Sequence, residues 1–466
     1  MKLSKQLFIP LAPILAIIFY FFLQAIGLEG KPAIAASITL LTVIWWVTEA
    51  IPIPATSLVP FALLPLFGIV DHKSVASALG SHVILLLMGA FMLSKAIEKS
   101  GAHERLAVYM VKLVGVSSGR RMVFGFMLAS AFLSMWISNT ATTLIMLPIA
   151  LAILKHIDNQ NLKVALILGI AYAASVGGVG TPIGTPPNVI FMGIYEEQTG
   201  VEFGFLQWMK IGVPIVLLAI PLIAFWLTRN VKLEHEIHLP TLGPWRKEEK
   251  RTLWVFGLTA LAWITRKEPF GGWSGVLDVN IAGDSTVALF AVVLMFLVPN
   301  GKGSRLLDWD SAKTIPWGML LLFAGGIALA KGFVASGLSG LLGDWLASFS
   351  NLPVILMIVT ICLVVTYLTE ITSNTATATL LMPILAAAAI ASGYDPKVLM
   401  VPAAICASCA FMLPVATAPN AIAYGTGEIE IKDMVKEGGD TELYRCLFSG
   451  NNVLLAADLA YITLYY

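Results

Sequence analysis

Residues 138–148 read SNTATTLIMLP, and residues 373–383 read SNTATATLLMP. The two stretches share their first five letters, and each carries proline at its eleventh position. Both lie deep inside apolar sequence. A single polar phrase of this kind is readily explained as a helix cap or as glue between helices. Two copies call for a reason tied to the plan of the whole chain.

The surroundings set the solvent. Of 466 residues, 58% are hydrophobic and only 12% are charged, and the mean hydropathy is +0.85. Soluble domains carry about a quarter charged residues, so most of this chain does not face water. The length leaves room for roughly 10–12 spanning helices of about 20 apolar residues each. A net charge of +1 gives no electrostatic reason for a nucleic-acid partner. The first 28 residues, MKLSKQLFIPLAPILAIIFYFFLQAIGL, resemble a signal peptide. Their apolar run is too long for one and lacks a small-x-small cleavage site, so they are expected to remain as a first span. Cys406 and Cys409 form a CxxC, but no His is near and the stretch is rich in Ala, which favours small packing residues over a zinc or redox site.

Working outward, residues 122–154 are bounded by Arg120 and Arg121 on one side and Lys155 on the other. Broken at Ser138, the stretch gives two arms of about 15 residues, each near 22 Å as helix, short of a hydrocarbon core of about 30 Å. Basic residues at both ends prefer the same, cytoplasmic side. A re-entrant hairpin with its polar tip near mid-membrane meets these conditions. The second copy, within 353–394, has longer arms that also pass as two ordinary spans; its repetition of the first is what makes it a hairpin.

The repetition extends further. LLLMGAFMLSKAIEKSG (85–101) aligns with LLLFAGGIALAKGFVASG (320–337), and GTPPNVI (184–190) with ATAPNAI (416–422). Paired residues are offset by 236 (Gly89 to Gly325), 235 (Ser138 to Ser373) and 232 (Asn188 to Asn420). Lys95 pairs with Lys331, and Gly101 with Gly337. This is an internal duplication. An odd number of crossings between equivalent spans turns the halves upside down relative to each other. The basic segment 229–251 reads as cytoplasmic and the acidic YEEQTGVEFG before it as external. The N-terminus is then expected in the cytoplasm. Inverted repeats with broken helices meeting at the midplane are the architecture of secondary transporters. The fold expected is an all-α polytopic membrane protein of about 11 transmembrane helices plus two re-entrant hairpins, working as an elevator.

At a hairpin tip the backbone leaves its helical hydrogen bonds, which lipid tolerates only where the chain is buried in protein or lines a cavity. Helix N-termini suit a carboxylate, sulfate or phosphate. Freed carbonyls with Ser, Thr and Asn oxygens suit Na⁺. Two tips imply two anion contacts and two cation sites.

The two SNT motifs, the TPPN turn at Thr185–Asn188, its counterpart at Thr417–Asn420 with Ala418, TEAIPIPAT at 48–56 and ASCAFMLPVATAPNAIAYG at 407–425 together resemble the divalent anion:sodium symporter family, the INDY-type dicarboxylate transporters. The resemblance covers residues from about 30 to 435. It implies a homodimer of protomers in a lipid bilayer, the bacterial inner membrane, each with a scaffold and a mobile transport domain. The scaffold would take 1–120 and 229–350, with interfacial arms near 103–117 and 338–350. The transport domain would take 121–228 and 351–466, including the last helix. One Na⁺ site would use Ser134, Ser138, Asn139 and the Gly184 carbonyl. The other would use Thr369, Thr372, Asn374 and the Ala416 carbonyl. Asn139 and Thr140 would bind one carboxylate of the substrate, and Asn374 and Thr375 the other, with Thr417 alongside. The implied function is Na⁺-coupled uptake of C4-type dicarboxylates such as succinate, malate and fumarate. A dicarboxylate exchanger of the same fold, or a symporter preferring citrate or sulfate, are the alternatives. Ala418 in place of the first Pro of a full TPPN leaves preference open. Moving a dianion into a cell costs about 4.6 kcal/mol per 100 mV, from about 2.3 per charge, which two Na⁺ cancel and a third would overcome.

Look-alikes carry less. GLSG (337–340) matches an intramembrane protease motif, but a catalytic Ser needs a base and no His follows His238. HEIH (235–238) sits among charges in a basic loop, and the glycine-rich GGVGTPIG (177–184) follows no strand and has no Lys. The chain is not read as an enzyme. Glu49 and Glu370 are the acids expected within the membrane, with a structural or tuning role favoured over a proton relay. After IEIKDMVKEG the tail GDTELYRCLFSGNNVLLAADLAYITLYY is too polar for an ordinary last span, pointing to an altered C-terminus or to a polar helix packed in the transport domain.

Overall fold

The computed structural model describes residues 2–115, 117–155, 157, 159–231, 243–341 and 354–439. The HEIH loop, most of the second amphipathic arm and the polar tail lie outside these residues. Helices make up the fold, and among the described residues there is no strand, only an isolated bridge between Pro299 and Arg305. Among the described residues, eight helices are long and apolar enough to cross a membrane, and shorter apolar ones lie over Ile53–Leu66, Asn139–Leu154, Asp284–Leu297 and Lys397–Ala407. Several crossings are built from two short helices joined by a break, so full-length helices among the described residues are fewer than the crossings.

The first hairpin consists of α1 (Gly119–Ser134) and α2 (Asn139–Leu154). At 16 residues each, the arms are about 24 Å long, too short to cross. Both ends lie at one end of the molecule. Arg120 at the start of α1 donates to the Arg229 carbonyl (3.4 Å), and Asn161, just after the hairpin, to that of Asn230 (3.4 Å). Next comes α3 (Gln160–Gly177), which runs beside α1, breaks over 178–185 and continues as α4 (Pro186–Thr199) to the opposite end. Proline in the first turn of α4 starts that helix at no hydrogen-bond cost, because the first N–H groups lack partners anyway.

The second half repeats this with the direction reversed. Its hairpin is α5 (Val354–Ile371) and α6 (Asn374–Ala391), and its broken helix is α7 (Lys397–Ala407) followed by α8 (Ala418–Gly425). The Thr369 hydroxyl, near the end of α5, lies 3.1 Å from the carbonyl of Ala407, which ends α7, so these two helices run in parallel from the same end. That is the end where Asp395 meets Tyr195 of α4 (3.4 Å). Beyond α8, Glu428 meets Lys163 of α3 (3.1 Å), at the end where the first hairpin starts. The second hairpin is therefore re-entrant on geometry as well as by repetition.

Around these elements stand the helices Lys2–Ala25, Lys31–Thr48, His82–Ser100, Phe205–Leu227, Lys247–Ile264, Asp284–Leu297 and Trp317–Ser336. The sequence-paired glycines Gly101 and Gly337 both end a helix with left-handed backbone, φ 73° and 79°. After Gly101 a helix, Ala102–Val114, buries His103, Arg105, Ala107, Val108 and Val111 and exposes Leu113. Glu49 corrects an expectation. It follows the helix Lys31–Thr48 and pairs with Lys5 at 2.7 Å, with more than half of its side chain exposed. Because the helix ends at Thr48, this acid is held by Lys5 at the protein surface rather than packed in the interior.

Candidate functional site

Each tip is made by the same local chemistry. Ser138 leaves the helix with extended backbone (ψ 146°), and its hydroxyl accepts the N–H of Ala141 at 3.2 Å. Ser373 does the same (ψ 144°) for Ala376 at 3.1 Å. An N-cap of this kind ties one first-turn N–H, while those of Asn139 and Thr140, and of Asn374 and Thr375, have no partner within their own helix. Both tips therefore present donors and the positive end of a helix dipole.

The breaks in the two long helices are pinned by matching asparagines. Asn188 Nδ2 donates to the carbonyls of Gly178 (3.0 Å) and Thr181 (2.7 Å). Asn420 Nδ2 donates to those of Ala410 (3.0 Å) and Leu413 (3.1 Å). In each case the partners lie ten and seven residues earlier. This is the physical meaning of the TPPN turn: the Asn ties the unwound strand to the helix that resumes. Both side chains are fully buried, and the Oδ1 of each has no protein partner.

Beside each tip, oxygens outnumber hydrogens. The end of the Asn139 amide that faces Ser134 Oγ (2.6 Å) also lies 3.2 Å from the carbonyl oxygens of Gly184 and Ala174. Set as nitrogen, it donates to all three. Set as oxygen, it completes a cluster of four oxygens served by the Ser134 hydroxyl hydrogen and, at the Ala174 carbonyl, by the Gly178 N–H; a hard cation suits such a cluster. In the second half, Thr369 Oγ1 faces both Asn374 Oδ1 (2.8 Å) and the Ala407 carbonyl (3.1 Å) with one hydrogen for two acceptors. Ser134 and Thr369 are fully buried. No side chain fits inside the first cluster: a methyl on Gly178 would meet Asn139 Oδ1 at 2.7 Å and the Gly184 carbonyl at 3.1 Å.

Of the expected cation ligands, Ser134, Asn139 and Gly184 come together, as do Thr369 and Asn374. The Ser138 hydroxyl is occupied as a cap. The Thr372 hydroxyl turns away, bonded to the Leu368 carbonyl (2.8 Å) and to Thr377 Oγ1 (2.6 Å). Ala416 is buried at the edge of the cavity described next. The structure adds the carbonyls of Ala174 and Ala407 to these groups, which the sequence did not single out. Nothing in sequence marks an alanine carbonyl, and the two stand one residue out of register in the repeat, where Ala174 matches Cys406.

Both tips line one cavity of about 450 Å³. Asn139, Thr140, Asn374, Thr375 and Thr417 all contribute to its wall, with Ser138, Ser373, Thr185 and Ala416. Its other side is the helix His82–Ser100, through Ser94 and the ion pair Lys95–Glu98 (2.6 Å), and the segment around Thr314. These lie toward the end where Arg246 reaches the Ser100 carbonyl (2.8 Å).

Glu370 has no counterpart in the first repeat, where Met135 stands in its place. Buried to 2% exposure, its carboxylate accepts the N–H groups of Phe411 (2.6 Å), Met412 (2.9 Å) and Leu413 (2.8 Å). In the first half the Met135 carbonyl accepts the Thr181 hydroxyl instead. The acid organises the second break.

The citrate transporter family model matches residues 43–410. The sodium-dependent dicarboxylate transporter SdcS of Staphylococcus saprophyticus is 42% identical over 454 residues, 92% of this chain and 86% of that protein. Its namesake in Staphylococcus aureus strain USA300 is 41% identical over the same shares. Among solved structures, the Alcanivorax borkumensis YdaH transporter aligns with a TM-score of 0.60 at 14% identity, over 92% of this chain and 99% of that one. Neisseria gonorrhoeae MtrF aligns with a TM-score of 0.56 at 15% identity, over 82% of each chain. These two share the fold. Inverted hairpins, pinned breaks and paired oxygen clusters thus stand in a chain that belongs to the citrate-transporter family, as a multi-pass membrane transporter of the divalent anion:sodium symporter type.

Proposed function

We propose that this protein couples inward Na⁺ flux to uptake of C4-type dicarboxylates such as succinate, malate and fumarate. One observation carries the reading: two tips related by inverted repetition face one cavity, each beside a buried cluster of oxygens around its Asn. Two carboxylates of one substrate would each meet a helix N-terminus with an Asn and a Thr, Asn139 with Thr140 and Asn374 with Thr375, and Thr417 would lie beside them. One Na⁺ would sit among Ser134, Asn139 and the carbonyls of Gly184 and Ala174, with Ser138 closing the tip. The other would sit among Thr369, Asn374 and the Ala407 carbonyl, with Thr372 and Ala416 at its edge. Because each Asn serves both groups, a bound cation pre-orients the tip for the anion, and its charge offsets that of the carboxylate. The relatives named for sodium-dependent dicarboxylate transport support this choice of ion and substrate.

The mobile body would comprise 121–228 and 351–466, and the framework 1–120 and 229–350. The basic segment 243–251 would face the cytoplasm, with the N-terminus on that side, so the cavity reached past Lys95 and Thr314 is the inward-open one. The substrate would cross by an elevator movement of the mobile body. Two protomers would pair through the framework.

Radiolabelled succinate uptake into proteoliposomes, with and without an inward Na⁺ gradient, tests the reading. Gradient-driven accumulation is expected. Uptake indifferent to Na⁺ but dependent on internal dicarboxylate would replace symport by exchange. Asn139→Ala and Asn374→Ala should each abolish binding, read by loss of succinate-induced thermal stabilisation; normal transport by both overturns the site.

A further inference from the structure

The framework wall of the cavity carries charge where the tips carry none. Helix His82–Ser100 lines it with Leu87, Ala90, Phe91, Ser94, Lys95 and Glu98, spaced three and four apart so that they share one face. From Leu87 to Glu98 this stripe runs about 16 Å along the axis, apolar at first and polar towards the basic end. Among the cavity's described lining residues, Lys95 is the one cation and Glu98 the one carboxylate. Their side chains meet at 2.6 Å and are partly shielded, at 31% and 26% exposure. The pair joins two positions of the same helix, so it fastens no element to another, and such a pair stabilises a helix only slightly. The repeat partner of Lys95 is used differently: Lys331 meets Glu197 of α4 at 2.7 Å, tying two separate helices. Val334 stands where the repeat places Glu98. Packing therefore does not call for the Lys95–Glu98 pair.

A dianion gives it a use. At the tips, neutral donors and helix dipoles face the carboxylates, and the full positive charges there are the Na⁺ ions of the proposed mechanism. Once those ions leave, Lys95 is the full positive charge that still faces the cavity. We propose that Lys95 is an exit station for the dicarboxylate on the cytoplasmic side. Its ammonium takes one carboxylate of the anion as it leaves the tips, while Glu98 keeps the ammonium against the wall and limits its grip. An ammonium has three donors, so it serves the substrate carboxylate without releasing Glu98. Partial shielding from water makes the attraction stronger than at an open surface. Without Glu98 the same cation would hold the dianion longer and delay its release. Because Lys95 belongs to the framework and the tips to the mobile body, the station meets the substrate only while the cavity opens to the cytoplasm. The proposal rests on the two-body reading and the substrate class given above.

Membrane vesicles of known orientation test the station. Apparent KM for Na⁺-driven succinate transport is measured from the cytoplasmic face in inside-out vesicles and from the external face in right-side-out ones. Lys95→Gln should raise the ratio of cytoplasmic to external KM by about tenfold, the worth of one charge-assisted hydrogen bond in a partly shielded site. Glu98→Gln, which frees the same ammonium, should lower that ratio and slow turnover. Lys95→Arg keeps the charge and should hold the ratio near the parent value. A ratio unchanged in Lys95→Gln, or shifted in the same direction by both neutralising variants, overturns the station. Should Lys95→Gln fail to reach the membrane, Glu98→Gln decides alone, and a ratio that does not fall overturns the proposal. If the parent protein shows no Na⁺-driven succinate transport in either kind of vesicle, the functional reading fails instead.

Discussion

At the residue scale, the same letters do different work according to where their hydrogens go. Ser134 and Thr369 are one turn before their tips and hold the Asn side chains; Ser138 and Ser373 only cap. Thr372 sits beside the second tip in sequence, but its hydroxyl serves Leu368 and Thr377. Thr369→Ala should therefore raise the Na⁺ concentration for half-maximal uptake by about tenfold, the worth of a hydrogen-bonded ligand, whereas Thr372→Ala leaves it within about twofold. A titration of succinate uptake against Na⁺ separates them. Gly178→Ala would drive a methyl to 2.7 Å from Asn139 Oδ1. It should remove the Na⁺-induced rise in Tm with the fold intact, as judged by size-exclusion profile. The SNT phrase was legible because three polar letters stood out in oil. The alanine carbonyls were not, since every residue carries one.

At the element scale, broken helices decide the site, and each break has its own fastener. The first uses close packing of glycines and the Thr181 hydroxyl on Met135. The second uses a carboxylate on three amides. Glu370→Ala leaves those N–H groups without their acceptor at a cost of roughly 1–3 kcal/mol each if they stay dry, so a Tm drop of several degrees with loss of uptake is expected. Glu370→Gln keeps the shape but turns an amide NH₂ toward at least one donor, and should fall between. Differential scanning fluorimetry on purified protein measures both. The tuning role expected for Glu370 thus takes a concrete form, backbone positioning. Glu49 shared the same letter and the same apolar neighbourhood, yet the helix end at Thr48 exposes it to Lys5. Sequence windows could not distinguish the two, because burial depends on what packs from elsewhere in the chain.

At the scale of the whole molecule, inversion makes one cavity out of two half-sites 235 residues apart, the span from Ser138 to Ser373. The cavity reaches the basic end past Ser94, so Ser94→Cys should react with an impermeant thiol reagent from the cytoplasmic face and resist it from outside. Equal reaction from outside would reverse the proposed orientation. By itself the sequence determined that the chain lives in a membrane and that its halves are duplicated and inverted, and it singled out the SNT tips and the asparagine turns that the structure gathers around one cavity. Those features are written in local hydropathy, periodicity and repeated motifs. Only the tertiary structure decided that the second hairpin is re-entrant and which hydroxyls face the oxygen clusters. These outcomes depend on the parallel run of α5 beside α7 and on contacts between distant segments, such as Thr369 with the Ala407 carbonyl, 38 residues apart, and Lys163 with Glu428, 265 apart. No window along the chain contains both partners of such a contact.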